Sequence, residues 1–284
     1  MKKTYLVTLC CFLAVILNIC LVEAQGLKVP PASSMQVVTQ DLGLSHVTLS
    51  YSRPLMKGRK IFGGIVPYGV LWRTGASAAT SLTFDHEVII ADKRLPAGTY
   101  ALFSIPAEKE WTIIVNNKQK QWGADAYDST FDVLRFKVTP FSLAESLETF
   151  NISFPEASPS SVTFAIGWEK TGIRFPIIID EEKEIKAGID SALRSENKPY
   201  FEAAMYYYNS NKDLHQALEW MQMADRQNKG QLYYIKYWKG VVMLKLGDKA
   251  GAKASAEEAL VLAQKQNLPD YIRMINVLIK QTGL

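Results

Sequence analysis

Residues 173–195 read "IRFPIIIDEEKEIKAGIDSALRS", and the period of the chain changes inside them, at Asp180. Upstream, "IRFPIII" is the last of a series of short β-type segments. Downstream, Ile185, Ile189 and Leu193 recur every four residues on one face, and Glu181, Glu182 and Glu184 suit the positive end of a helix that Asp180 is placed to cap. A β domain therefore gives way here to a helical one.

Working back from this boundary to about His46, the segments are short and rich in Val, Ile, Thr, Phe and Tyr: "HVTLSYS", "TSLTF", "EVIIA", "GTYALFSI", "WTIIVNN", "DVLRFKVTP", "TFNISF" and "VTFAIGWE". Turn residues separate most of them, among them Pro96 and Gly98 in "ADKRLPAGTY", Asn116 and Asn117 in "VNNKQKQWG", and the polar loop "PEASPSS" at 155–161. Short strands at regular spacing predict an antiparallel sandwich or jelly-roll-like domain over residues 25–180.

Working forward, residues 181–284 read as helical. "NKDLHQALEWMQMA" and "LGDKAGAKASAEEA" set Ala217 against Ala252, Met221 against Ala256 and Ala224 against Ala259, a constant offset of 35 residues. That offset and the small residues resemble tetratricopeptide hairpins over about residues 200–279. Such repeats imply a protein or peptide partner, and the aromatics Tyr206–Tyr208, Trp220, Tyr233, Tyr234, Tyr237 and Trp238 either line a groove or fill the hairpin core. Met205 departs from the family, which has a small residue at that place.

The N-terminus reads as a cleaved secretory leader. Lys2 and Lys3 precede an apolar run from Tyr5 to about Val22, and Val22-Glu23-Ala24 offers a cleavage site before Gln25. The rival readings are an uncleaved anchor and a lipoprotein acylated at Cys20. The leader 1–24 holds all three cysteines, Cys10, Cys11 and Cys20, so the exported chain expected from Gln25 onward has no thiol. Disulfides, thiolate zinc sites and cysteine nucleophiles are excluded with them. The fold must be held by its core, which a 48% apolar composition can supply. The net charge of +4, lowered by one on loss of Lys2, Lys3 and Glu23, is too weak and dispersed for nucleic acid or a membrane surface, and no membrane span is expected after cleavage.

One stretch fits neither strand nor helix. "YSRPLMKGRKIFGGIVPYGVLWRTGASAAT", Tyr51–Thr80, is a long connection between two strands with five cations, Arg53, Lys57, Arg59, Lys60 and Arg73, set among aromatics, Gly and Pro. Long connections with apolar content are commonly functional. The candidate ligand-binding residues are Arg53, Arg59, Trp72, Arg73 and Thr74: an arginine beside an indole can hold a carboxylate, phosphate or sulfate while a ring stacks on a flat body. The competing role for Arg53 and Arg73 is to tie the loop down through ion pairs and carbonyl contacts, with Lys57 and Lys60 solvated.

This stretch, followed by "LPAGTYALFSIP", "WTIIVNN", "DVLRFKV" and "GWE", resembles the bacterial secreted family known as domain of unknown function 2911, common in the Bacteroidetes, over about Pro31–Pro176. The resemblance implies an exported, periplasmic or extracellular protein and assigns no activity. Ser77 departs from it, standing where the family pattern has Asn after Gly-Ala.

Motifs for catalysis are weak. The histidines are His46, His86 and His215. "DHE" at Asp85–Glu87 lacks a second ligand cluster, so no metal is expected, and no cofactor motif is present. "GASAA" at Gly75–Ala79 lacks the final Gly of a nucleophile elbow and leads into a strand, and the pair Asp125 and Asp128 lies on a loop. Three function classes emerge: a non-catalytic binding module for a small anionic or carbohydrate ligand, a scaffold docking a partner through the helical repeats, and an unrecognised hydrolase or isomerase.

Overall fold

The computed structural model describes residues 29–119 and 121–284. The expected leader 1–24, the expected cleavage site and the three cysteines lie outside the described residues.

The β region comprises β1 (Ser34–Leu42), β2 (Ser45–Arg53), β3 (Thr80–Phe84), β4 (Val88–Ile90), β5 (Lys93–Leu95), β6 (Gly98–Ile105), β7 (Trp111–Asn116), β8 (Asp132–Val138), β9 (Phe141–Ser153), β10 (Ala157–Ser158) and β11 (Ser161–Ile178). One antiparallel sheet runs β1-β2-β3-β6-β7-β8, and the second is built on β11, which pairs with β4, β9 and β10. Both contribute to one core: Leu49, Leu82, Leu102 and Ile113 come from the first sheet, and Ile152, Phe164, Ile166 and Ile177 from the second. The alternation that made these segments legible as strands is the alternation of burial, as in β2, where Val47, Leu49 and Tyr51 are buried. Tyr51 also ties the sheets together: its hydroxyl lies 2.7 Å from Gln36 Oε1 and accepts the Ile152 N–H at 3.0 Å. Burial raises the Tyr51 pKa above the ordinary phenol value.

Several local expectations are corrected. β1 is a strand although its residues "SMQVVTQDL" carry little apolar alternation, because an edge strand needs only one partner and one covered face. "VTFAIGWE" and "IRFPIII" are one strand of 18 residues, β11, whose register against β9 shifts on both sides of Glu169, a residue at φ 53°. Asn116 sits in β7 with its amide donating to Asp132 Oδ1 at 2.8 Å, and among the described residues of that connection the left-handed one is Gly123, φ 76°.

Six helices come next: Glu182–Ala192, Tyr200–Asn209, Leu214–Gln227, Tyr233–Lys245, Lys249–Lys265 and Pro269–Thr282. Ile185, Ile189 and Leu193 form the half-buried stripe the sequence predicts. Asp180 is not the cap: the residue before the helix is Glu181, which makes no side-chain cap bond. Asp180 instead accepts from Arg94 at 2.9 Å, while Glu181 is buried, accepting the Leu44 N–H at 2.7 Å and lying 2.8 Å from His86 Nδ1. Gly43, at φ 63°, allows this approach, since a Cβ there would meet Glu181 Oε2 at 2.2 Å.

In the later helices Ala217, Met221, Ala224, Ala252, Ala256 and Ala259 are all buried, the positions matched by the 35-residue offset, so small side chains let consecutive helices approach closely. The aromatics pack on one another: Tyr207 on Trp220 at 4.7 Å, Phe201 on Tyr234 at 5.1 Å and Tyr233 on Tyr271 at 4.6 Å. Lys236 is buried against Glu258 at 2.5 Å; burial opposes its charge, but the Glu258 hydrogen bond and Asp225 outweigh that and raise its pKa. No helix of the described residues is long and apolar enough to cross a membrane.

Candidate functional site

The connection between β2 and β3 is ordered by contacts to both sheets. Met56 N donates to Glu148 O and Lys57 N to Glu148 Oε1, each at 2.7 Å, and Ile61 N donates to Glu169 Oε2 at 3.1 Å. Further along, Trp72 and Ser104 exchange backbone bonds of 2.8 and 2.9 Å. Two rings of the connection enter the core between the sheets. Phe62 lies 4.8 Å from Trp111, and Trp72 lies 5.3 Å from Phe150 and stacks at 6.2 Å on Trp168. Phe62 and Trp72 thus lie inside, while Tyr68, Lys57, Arg59 and Lys60 are exposed and Arg53 and Arg73 are half-buried.

The backbone around Arg73 is tightly constrained. Thr74 has φ 54°, a conformation that costs a β-branched residue about 1–3 kcal/mol. Its hydroxyl sits 2.8 Å from Ser104 Oγ and the residue is fully buried, so this expected ligand contact is a structural one. Ser77 has φ 59°, which explains why Asn, more tolerant of that region, suits the position. Trp72 is 9% exposed and its indole N–H donates to Gly75 O at 3.0 Å.

These constraints frame a pocket of about 380 Å³. Lys57, Arg59 and Arg73 are its cations; Pro54, Leu55, Ile65 and Val66 form apolar wall; Trp72 and Trp168 contribute indole surface. Of the residues expected to bind ligand, the structure brings Arg59, Trp72 and Arg73 together and leaves Arg53 and Thr74 out of the lining. Lys57 and Trp168 are the additions. Lys57 was visible in the stretch as a cation, whereas Trp168 lies in β11 and only tertiary structure brings it there.

The cations differ in what holds them. Arg53 donates to Phe150 O at 3.3 Å and to Asn151 Oδ1 at 3.5 Å, the tying role expected of it. Arg59 donates to Met56 O at 2.9 Å and Leu55 O at 2.8 Å, which fixes its side chain. Arg73 differs: its Nε is buried without a hydrogen-bond partner. Among the described residues, none of Arg53, Lys57, Arg59, Lys60 and Arg73 forms an ion pair within 4.0 Å of a carboxylate. A buried guanidinium donor without a partner is costly, and among the described residues the pocket that Arg73 lines has no acid to offset that cost.

The other candidate chemistry is engaged in structure. His46 Nδ1 lies 3.0 Å from Asp85, and His86 belongs to the Glu181 contact. Asp128 caps a short 3₁₀ turn, where the Thr130 hydroxyl and N–H bonds hold its pKa below the usual carboxylate value. Ser77 leads into β3, a strand. Among the described residues no group of three or more His, Cys, Asp or Glu side chains is placed to hold a metal.

Compared with known families, residues 33–177 match the model described as Protein of unknown function (DUF2911). The chain belongs to this family. The family span contains every residue that lines the pocket except Ala32, and it ends before the first helix. No curated protein and no solved structure matches the chain.

Proposed function

We propose that the pocket formed by the β2–β3 connection binds a small organic anion, and that the chain is an exported, non-catalytic binding module. The observation that carries the reading is Arg73: a guanidinium with a buried, unpartnered Nε, beside Lys57 and Arg59, in a cavity lined by no carboxylate among the described residues. An anion entering it gains charge-assisted hydrogen bonds that no protein group has already taken. The strained Thr74 backbone, held by Ser104, keeps the neighbouring guanidinium in place before the ligand arrives. His46, His86 and Asp128 are held in structural contacts, which favours binding over catalysis.

The test is thermal stability in the presence of anions. A ligand bound only by the folded state raises the melting temperature by mass action, by about 2.7 kcal/mol at a concentration 100 times its dissociation constant. The purified protein is expected to be stabilised by one or more small organic anions, and Arg73→Gln to lose that response. Equal stabilisation of the parent and Arg73→Gln would refute the proposal.

A further inference from the structure

We infer that the ligand of the Arg73 pocket is a carboxylic acid of about a dozen non-hydrogen atoms in all, an alkyl or aryl acid and not a sugar or sugar phosphate; this rests on the anion-binding reading above. Three features of the walls lead to it. The first is what the lining lacks. Its charged side chains are all cations, which donate and cannot accept, and its one neutral hydroxyl side chain is that of Ser33. A sugar ring presents several hydroxyl groups that must each find an acceptor when buried, and among the described residues no carboxylate or amide side chain lines the pocket to supply one.

The second is what the lining offers beyond the cations. Leu55 and Ile65 stand 37% and 46% exposed, and buried Val66, Trp72 and Trp168 complete the apolar lining. Apolar side chains left open beside a cationic group are suited to a molecule with a charged end and a greasy body. The third is shape. The Arg73 guanidinium is planar, lines the pocket and has no carboxylate partner among the described residues, so two of its N–H groups can meet the two oxygens of a carboxylate. The cavity of about 380 Å³ then sets the size, since about 30 Å³ is the liquid share of a water-sized group.

Isothermal titration with a matched set of probes tests the inference. Acetate, butyrate, hexanoate and octanoate vary the body at constant head; octanol removes the charge; octyl phosphate changes the head; glucose 6-phosphate and inorganic phosphate remove the apolar body. Affinity is expected to rise about fourfold per methylene along the acids, the ratio given by transfer of one methylene from water. Octanol and glucose 6-phosphate are expected not to bind. Arg73→Gln should abolish acid binding, and Ile65→Ser, at a position 46% exposed, should weaken octanoate far more than acetate. If octyl phosphate binds more tightly than octanoate, the carboxylate assignment is overturned. If glucose 6-phosphate binds and octanoate does not, the apolar body is overturned while the anion site stands. If no anion binds, both readings are overturned together.

Discussion

Replacing Arg73 with Met should stabilise the unliganded protein. Met keeps the stem of the side chain and removes the guanidinium, so the packing of the aliphatic part against the connection is largely retained. What is lost is a charge without an acid partner and a buried Nε–H without an acceptor. Leaving such a donor unmet costs about 1–3 kcal/mol. Taking the lower end to allow for bonds the outer nitrogens make to water, the variant should gain about 1 kcal/mol, or roughly 2–4 °C in melting temperature for a domain of this size. Arg135→Met is the internal control, because Arg135 Nε donates at 2.7 Å to Asp132, whose side chain is 9% exposed. That variant should melt lower than the parent. Differential scanning calorimetry of the three proteins without added ligand decides the matter. The reasoning fails if Arg73→Met melts roughly 6–20 °C below the parent, the drop expected when about 3–5 kcal/mol of buried ion pair is broken.

Three other substitutions test local geometry. Gly43→Ala should cost about 2–4 kcal/mol, because a Cβ would stand 2.2 Å from Glu181 Oε2 at a left-handed residue and would expel the carboxylate from Leu44 N; chemical denaturation reads this as a lower midpoint. Ser77→Asn should add about 0.5–1 kcal/mol by easing φ 59°, measured in the same way. Tyr51→Phe should cost about 1–3 kcal/mol through the lost Gln36 and Ile152 bonds. Because burial raises the Tyr51 pKa, its contribution is fully present below the unfolded phenol value of about 10 and is lost as pH rises through the higher folded value. Stability profiles of parent and Tyr51→Phe should therefore converge on the alkaline side and stay parallel below it.

The β character of residues 46–180 and the helical onset near Asp180 were legible because burial alternates along strands and recurs every three to four residues along helices. Where that signal fades, so does the reading. β1 is an edge strand in which Met35, Val37, Val38 and Leu42 follow no strict alternation with Gln, Thr and Ser, so no periodicity announces it. Asp180 looks like a cap because Glu181, Glu182 and Glu184 stand just after it in the chain, but Arg94, far away in sequence, claims its carboxylate. The five cations marked the connection as unusual, yet their chemistry depends on partners that sequence cannot supply. Arg53 finds Phe150 O, Arg59 finds its own turn, and Arg73 Nε finds no protein acceptor. Thr74 looked like a ligand hydroxyl and is buried on Ser104, a contact across thirty positions of sequence.

The most direct test of the Arg73 site is the arginine side-chain region of a ¹H–¹⁵N NMR spectrum recorded while octanoate is added, with the Arg73 Nε–H resonance assigned by its disappearance in Arg73→Gln. That single resonance should move saturably with ligand while those of Arg94 and Arg135, already paired with acids, stay in place. An Arg73 resonance that does not move at millimolar ligand, or a shift confined to another arginine, would contradict the account.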